Sequence, residues 1–125
     1  AKNAGLNPDL LVAISGAESR FGTTAPAGTY NAFGLMHRVG TGTQAHYAPI
    51  PFSDWGAGIA AAASAVDKQF ANENVTVSKM YSGKPGAYCV GPGCSTGESN
   101  VETFFRALGG GNPNNTLDLL WPCKD

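Results

Sequence analysis

The chain has few charged residues and no apolar run of membrane-spanning length. Asp, Glu, Lys and Arg make up 14% of its 125 residues, and the formal net charge at pH 7 is −1. Nucleic-acid partners select for a basic surface, so this balance argues against DNA or RNA as the main ligand. The Ala-rich stretch 56–66 is too short to cross a bilayer, and we therefore expect no membrane span.

Cysteine is also scarce, with three in the chain. Cys89 and Cys94 flank a tight Val-Gly-Pro-Gly segment that could bring the two sulfur atoms together, and a disulfide bond there would indicate an oxidising compartment. Zinc is the competing interpretation, but a single C-x4-C pair lacks a second ligand pair, and His37 and His46 are distant in sequence. A third alternative leaves all the cysteines reduced. Cys123 is the odd one out, either as a buried thiol or as the partner of a group upstream of this fragment.

A length of 125 residues suits one compact domain with a real core. No internal repeat or linker divides the sequence, so we predict a single domain over residues 1–125. No signal peptide is visible before the first predicted helix. We therefore expect a mature protein or a domain excised from a longer secreted protein.

The first predicted helix carries an acidic residue on its apolar face. Six residues recur at the three- and four-residue steps of that face: Leu10, Leu11, Ile14, Ala17, Glu18 and Phe21. Residues 7–9 (Asn-Pro-Asp) supply the N-terminal signals, and Gly22 closes the segment. Burial on the stripe and the negative end of the helix dipole both raise the pKa of the Glu18 carboxyl, as a general acid for glycoside cleavage requires. The alternative is a Glu at the edge of the stripe that is solvated or paired with Arg20.

The rest of the chain predicts further helices. A long helix is expected from Ser53, its predicted cap, to about Phe70, with short helices over 75–81 and 99–108. Six residues form the core-facing stripe of the long helix: Trp55, Ile59, Ala62, Ala63, Val66 and Phe70.

Residues 37–51 differ from these helical segments in their content of Gly, Thr and Pro, which favours short extended pieces or a hairpin. The predicted fold class is therefore mainly α (α+β). We expect a helical bundle around the first helix, with a small irregular or β-hairpin lobe that forms a cleft.

Three segments resemble motifs of one enzyme superfamily. They are residues 18–19 (Glu-Ser) at a helix end, residues 34–36 (Gly-Leu-Met), and residues 87–93 (Ala-Tyr-Cys-Val-Gly-Pro-Gly). Together they resemble the lysozyme-like superfamily of peptidoglycan-cleaving enzymes, above all soluble lytic transglycosylases, goose-type lysozymes and bacterial endo-β-N-acetylglucosaminidases. The chain departs from the pattern at His37, where Gln is usual, and at Cys89, where Asn is usual.

The resemblance implies a lysozyme-like fold in which Glu18 is catalytic and no cofactor or metal is needed. A two-carboxylate hydrolase needs a second acid about 5 to 10 Å from the first, but no Asp or Glu occurs between Glu18 and Asp54. Asp54 opens the next helix, where an acid has a structural role at the positive end of the dipole. The remaining acids are expected on polar faces or in loops: Asp67, Glu73, Glu98, Glu102 and Asp118. A one-carboxylate scheme is therefore favoured, as the resemblance to lytic transglycosylases implies.

Seven residues are candidate substrate contacts: Ser19, Phe33, Gly34, Leu35, Met36, Tyr47 and Tyr88. The resemblance implies that residues 33–36 line a cleft and that Tyr88 orients Glu18 through its phenol. The alternatives are that Phe33, Leu35 and Met36 belong to the core and that Tyr88 packs beside the cysteine loop without a role. Ser19 could hold the carboxyl or simply bond backbone.

Aromatic residues outside the motifs are candidates for sugar stacking, namely Tyr30 and Trp55 together with Tyr47. His37 could donate a hydrogen bond to a sugar, although a lone histidine is more often structural.

Three functions remain open. The first is a lytic transglycosylase or muramidase acting on the MurNAc–GlcNAc backbone, and the second is an endo-β-N-acetylglucosaminidase that cuts the other bond. The third is a non-catalytic wall-binding module. In each case the expected partner is the peptidoglycan glycan strand, and we expect a secreted or wall-associated monomer. The net charge gives no help in attracting an anionic wall, so affinity is expected to come from sugar contacts in the cleft.

Overall fold

The computed structural model describes residues 5–70 and 75–120. In those ranges the chain forms five α-helices: α1 (Pro8–Ser19), α2 (Trp55–Asp67), α3 (Val77–Met80), α4 (Cys94–Ala107) and α5 (Thr116–Leu119). Two 3-10 turns cover Gly42–Gln44 and Lys68–Phe70, and two strands, β1 (Met36–Val39) and β2 (His46–Pro49), form an antiparallel sheet. This mainly helical α+β architecture agrees with the predicted class at that level.

The core lies where α1 packs against α4. Leu10 and Ile14 of α1 and Val101 and Phe105 of α4 have no exposed surface. Full burial of each such side chain contributes roughly 1.5–3 kcal/mol. The packing of these two helices therefore fixes the position of α1, whose last turn carries Glu18.

The start of α1 agrees with the sequence signals, whereas its end does not. Asn7 accepts a hydrogen bond from the backbone N–H of Asp9 at 3.0 Å, and Pro8 occupies the first turn. The helix ends at Ser19 rather than near Gly22, because the next two residues adopt left-handed backbone with φ of 50° and 58°.

The left-handed turn after α1 also moves Phe21 away from the predicted core stripe. Its backbone N–H bonds to Ser15 O at 3.1 Å, while that of Arg20 bonds to Gly16 O at the same distance, which closes the helix. The Phe21 ring is 52% exposed and packs edge-on against Phe104, with ring centroids 5.1 Å apart. The prediction that Phe21 continues the buried stripe was therefore wrong.

Helix α2 starts one residue later than its predicted cap. Asp54, not Ser53, is the N-cap, and its carboxylate accepts from the backbone N–H of Ala57 at 2.8 Å. The buried stripe consists of Gly58, Ala62, Ala63 and Val66, whereas Trp55 and Ile59 are exposed. Small residues face the core because α2 approaches it closely, so the larger side chains at the helix start lie outside the core.

Helix α4 begins five residues before the predicted start at residue 99, at a disulfide bond. Cys89 and Cys94 are joined with their Cα atoms 5.9 Å apart. Gly93, at φ 91°, turns the chain into the helix, and Cys94 is its first residue. The disulfide bond and the turn at Gly93 thus set the start of α4. The hydrophobic periodicity of the sequence does not indicate a helix before residue 99.

The two strands form the hairpin expected in residues 37–51. Met36 pairs with Pro49 and Arg38 with Tyr47 in the antiparallel register. No helix in the described ranges has the length and apolar character to cross a membrane. Glu73 and Cys123 lie outside the described residues.

Candidate active site

Glu18 lies in the last turn of α1 and opens into a cleft of about 310 Å³. The cleft is lined by Glu18, Phe33, Gly34, Leu35, Met36, Tyr88, Cys89 and Val90. The four predicted contacts at residues 33–36 and Tyr88 thus share one cavity with the acid. A Cβ atom built on Gly34 would lie 3.1 Å from Glu18 Oε2, which shows how closely this wall approaches the carboxyl.

Asn31 fixes the cleft wall and was not identified from the sequence. Its side chain is 2% exposed and donates to Leu35 O at 2.8 Å and to Ile50 O at 3.1 Å. It also accepts from the Leu35 backbone N–H at 3.1 Å. A buried amide with three hydrogen bonds holds residues 31–35 in one conformation. Its position three residues before the Gly-Leu-Met segment was the only signal for this role.

Ser19 has a structural role and does not hold the carboxyl. Ser19 is buried, and its hydroxyl donates a hydrogen bond to Ala32 O at 2.6 Å. The same hydroxyl accepts a hydrogen bond from the Gly22 backbone N–H at 2.8 Å. The predicted contact with substrate is therefore wrong, since Ser19 instead ties the end of α1 to the cleft wall.

Tyr81, rather than Tyr88, hydrogen-bonds to Glu18. The Tyr81 hydroxyl donates to Glu18 Oε1 at 3.5 Å, and the residue is almost completely buried beside α3. This contact is long, so it is a weak hydrogen bond. The predicted orienting role of Tyr88 needs correction, because its phenol is buried and has no hydrogen-bond partner within residues 5–70 and 75–120.

Burial raises the pKa of the Glu18 carboxyl above its ordinary value of 4.5, and the hydrogen bond from Tyr81 opposes this effect without cancelling it. Glu18 as a whole is solvent-accessible, because it opens into the cleft rather than lying in the core. Arg20 is not among the groups that shift this pKa, so the alternative of a Glu18–Arg20 pair finds no support. A carboxyl in this setting suits proton donation.

The raised pKa predicts a pH-dependent effect of Glu18→Gln on stability. A native pKa above 4.5 means that the folded chain binds this proton more tightly than the unfolded chain. Stability is therefore lost as the pH rises from the ordinary value through the native one. We expect a higher Tm for Glu18→Gln than for wild type at pH 7, with the difference shrinking toward pH 4. Thermal unfolding followed by circular dichroism measures the Tm of both proteins at each pH. A Tm of Glu18→Gln equal to or lower than that of wild type at pH 7 would contradict the desolvation of this carboxyl.

Removal of the Tyr81 hydroxyl should shift the pH dependence of activity. The hydrogen bond lowers the pKa of Glu18, so Tyr81→Phe raises that pKa further. We expect the alkaline limb of the pH–rate profile to move to higher pH, with a rate loss of about two- to tenfold at the optimum. Tyr30→Phe is the control, because Tyr30 packs against Trp55 with ring centroids 5.3 Å apart and does not line the cleft. Identical profiles for Tyr81→Phe and wild type would show that this hydroxyl does not act on the acid.

The remaining aromatic candidates lie outside this cleft. Tyr47 is 68% exposed on β2. Trp55 lines a separate, mainly apolar groove of about 440 Å³, which shares Phe33 as a wall with the Glu18 cleft. His37 is exposed on β1, opposite Ala48. The structure thus does not bring these side chains into contact with Glu18.

Neither a second carboxylate nor a metal-binding cluster accompanies Glu18 in the part of the chain that the structure describes. No other acid lines the cleft, and Asp54 caps α2. No three His, Cys, Asp or Glu side chains in residues 5–70 and 75–120 are grouped so as to hold a metal ion. The geometry therefore offers one carboxyl and two buried phenols, Tyr81 bonded to the acid and Tyr88 in the cleft wall.

Comparison with known proteins adds no relative. No protein-family model, no curated protein and no solved structure matches the chain. The class of protein consequently has to be inferred from the motifs and the geometry of the site.

Proposed function

We propose that the chain is a peptidoglycan-cleaving glycosidase, a lytic transglycosylase or muramidase that acts on the MurNAc–GlcNAc backbone. The observation that carries this proposal is the Glu18 carboxyl, whose pKa is raised and which opens into a cleft. The other walls of that cleft come from the two further motif segments, at residues 33–36 and 88–90. Three segments chosen for their resemblance to one superfamily thus meet around the acid.

The arrangement also supports a lysozyme-like fold as part of the proposal. The acid lies at the end of a helix, the Gly-Leu-Met segment leads directly into β1, and a hairpin lobe follows. The Cys89–Cys94 disulfide bond supports an oxidising compartment, and hence a secreted or wall-associated protein.

In the proposed mechanism one carboxyl acts first as acid and then as base. Protonated Glu18 gives its proton to the glycosidic oxygen as the bond from that oxygen to the muramyl anomeric carbon breaks. The 6-hydroxyl oxygen of the same sugar bonds to this carbon, and the Glu18 carboxylate takes the hydroxyl proton. The product is a 1,6-anhydromuramyl end, the carboxyl is restored, and no second acid is needed.

The surroundings of Glu18 favour this scheme. Desolvation raises the pKa of the Glu18 carboxyl, which favours the protonated form that a general acid needs. The Tyr88 side chain forms part of the cleft wall beside the acid.

An endo-β-N-acetylglucosaminidase is the second candidate, since the same acid would protonate the other glycosidic bond. In that case the products carry reducing GlcNAc ends. A non-catalytic wall-binding module is the third candidate, and the raised pKa of Glu18 argues against it because sugar binding alone does not require a protonated acid.

Mass spectrometry of purified peptidoglycan after digestion with the protein separates these functions. We expect 1,6-anhydromuramyl ends. Reducing MurNAc ends would indicate a muramidase that uses water, and reducing GlcNAc ends would indicate a glucosaminidase. Intact glycan strands after prolonged incubation would contradict the proposed activity.

A further inference from the structure

One face of the hairpin continues the wall of the Glu18 cleft. Residues directly opposite in an antiparallel pair lie on the same face, as do residues two apart in one strand. The register therefore places Met36, Arg38, Tyr47 and Pro49 on one face, which we call the hairpin face. All four residues are exposed, and Met36 also lines the cleft.

The hairpin face is cationic in a part of the chain without acids. Residues 19–53 contain Arg20 and Arg38 but no Asp or Glu, although the whole chain has a net charge of −1. The acids are therefore concentrated elsewhere, and no carboxylate of this segment can neutralise Arg38. Arg38 is the one charged residue among the four that form the hairpin face.

Tyr47 is the cross-strand neighbour of Arg38 and is 68% exposed. With a rise of about 3.3 Å per residue, the Arg38 Cα lies about 7 Å along β1 from that of Met36. A guanidinium binds a planar carboxylate with two hydrogen bonds, and a tyrosine ring packs against the apolar face of a sugar. The two side chains together match a sugar that carries an acidic substituent.

We propose that the hairpin face is an outlying subsite that binds a peptide-stem carboxylate on the glycan strand through Arg38, with the Tyr47 ring against the adjoining sugar. This inference rests on the proposed function, because it assumes a glycan strand in the Glu18 cleft. In an intact strand the lactyl carboxyl of each MurNAc is amide-linked to the peptide, so the free carboxylates of the strand lie on its peptide stems.

Binding of the inactive Glu18→Gln protein to two strand preparations tests the subsite. One preparation retains the stem carboxylates, and in the other a carbodiimide and methylamine have converted them to neutral amides; both are freed of accessory wall polymers. Adding Arg38→Gln to Glu18→Gln should weaken binding to the unmodified strands about two- to fivefold at low salt, as expected for an exposed ion pair. Binding to the amidated strands should not change. Tyr47→Ser should weaken binding to both preparations.

Arg106→Gln is the matched control, since it removes the same charge from the exposed last turn of α4. We call the Glu18→Gln protein the parent. The subsite would be overturned if the parent did not bind, or if adding Arg38→Gln did not change its binding. It would also be overturned if Arg38→Gln weakened binding to both preparations equally. The proposed activity can fail while the subsite holds. That would be the result if the parent binds strands through Arg38 but the wild-type protein releases no fragments from them.

Discussion

Glu18→Gln is expected to lower the release of soluble fragments from purified peptidoglycan by about 10²- to 10⁴-fold, the usual contribution of a general acid–base residue. The amide has nearly the size of the carboxyl but can neither give up a proton to the glycosidic oxygen nor accept one from the attacking hydroxyl. No second acid lines the cleft in the described part of the chain, so no neighbouring group can replace the lost function. Binding to the glycan strand should persist, because the walls at residues 33–36 and 88–90 are unchanged.

Glu98→Gln is the control for this prediction. Glu98 lies on α4 outside the cleft, so the substitution removes one carboxylate without touching the site. Fragment release is measured with both variants at equal concentrations of folded protein. A rate for Glu18→Gln within a few-fold of that of Glu98→Gln would contradict the catalytic role of Glu18.

Gly34→Val is expected to lower activity by about 10²-fold, the scale of a misplacement of about 1 Å at a reacting group. A Cβ atom at this position would lie 3.1 Å from Glu18 Oε2, and the branched valine side chain extends further toward the carboxyl. The carboxyl would have to shift to make room for the larger side chain. Gly34 also has φ of 67°, which disfavours residues with a Cβ atom. Valine there is therefore expected to lower the stability of the fold by roughly 1–2 kcal/mol as well.

Gly28→Val separates crowding of the carboxyl from backbone strain. Gly28 has φ of 77°, similar to that of Gly34, but a Cβ atom there would meet nothing within 4 Å. Both variants should therefore lose similar stability in urea unfolding, whereas Gly28→Val should keep near wild-type activity per folded molecule. Similar activity of the two variants would show that the approach of Gly34 to Glu18 is unimportant.

The fold could be predicted from the sequence wherever one local signal dominates. Asn7 and Pro8 mark the start of α1, and the turn-forming composition of residues 37–51 indicates the hairpin. Boundaries set by tertiary structure could not be read from the sequence. Helix α1 ends early because Arg20 adopts left-handed backbone without being glycine, and α4 starts at Cys94 because a disulfide bond anchors it.

The site could be predicted as far as its motifs extend. Glu18 and residues 33–36 share the predicted cleft, but the residues that fix their geometry were missed or misassigned. Tyr81 lies in a segment predicted only as a short helix, and its contact with Glu18 spans 63 positions in the sequence. Asn31 acts through backbone groups of a loop, a role that leaves no periodic pattern. Contacts of this kind depend on how helices pack, which composition and spacing do not report.

The most direct test of the proton-donor role is an NMR titration of the Glu18 carboxyl in protein labelled with ¹³C at the glutamate side chains. Glu18→Gln identifies the resonance by its loss. We expect a midpoint above 4.5 in wild type, because burial outweighs the hydrogen bond from Tyr81, and a higher midpoint still in Tyr81→Phe. A midpoint at or below 4.5 in wild type would mean that burial does not raise the pKa of the Glu18 carboxyl, and would contradict its proposed role as the general acid.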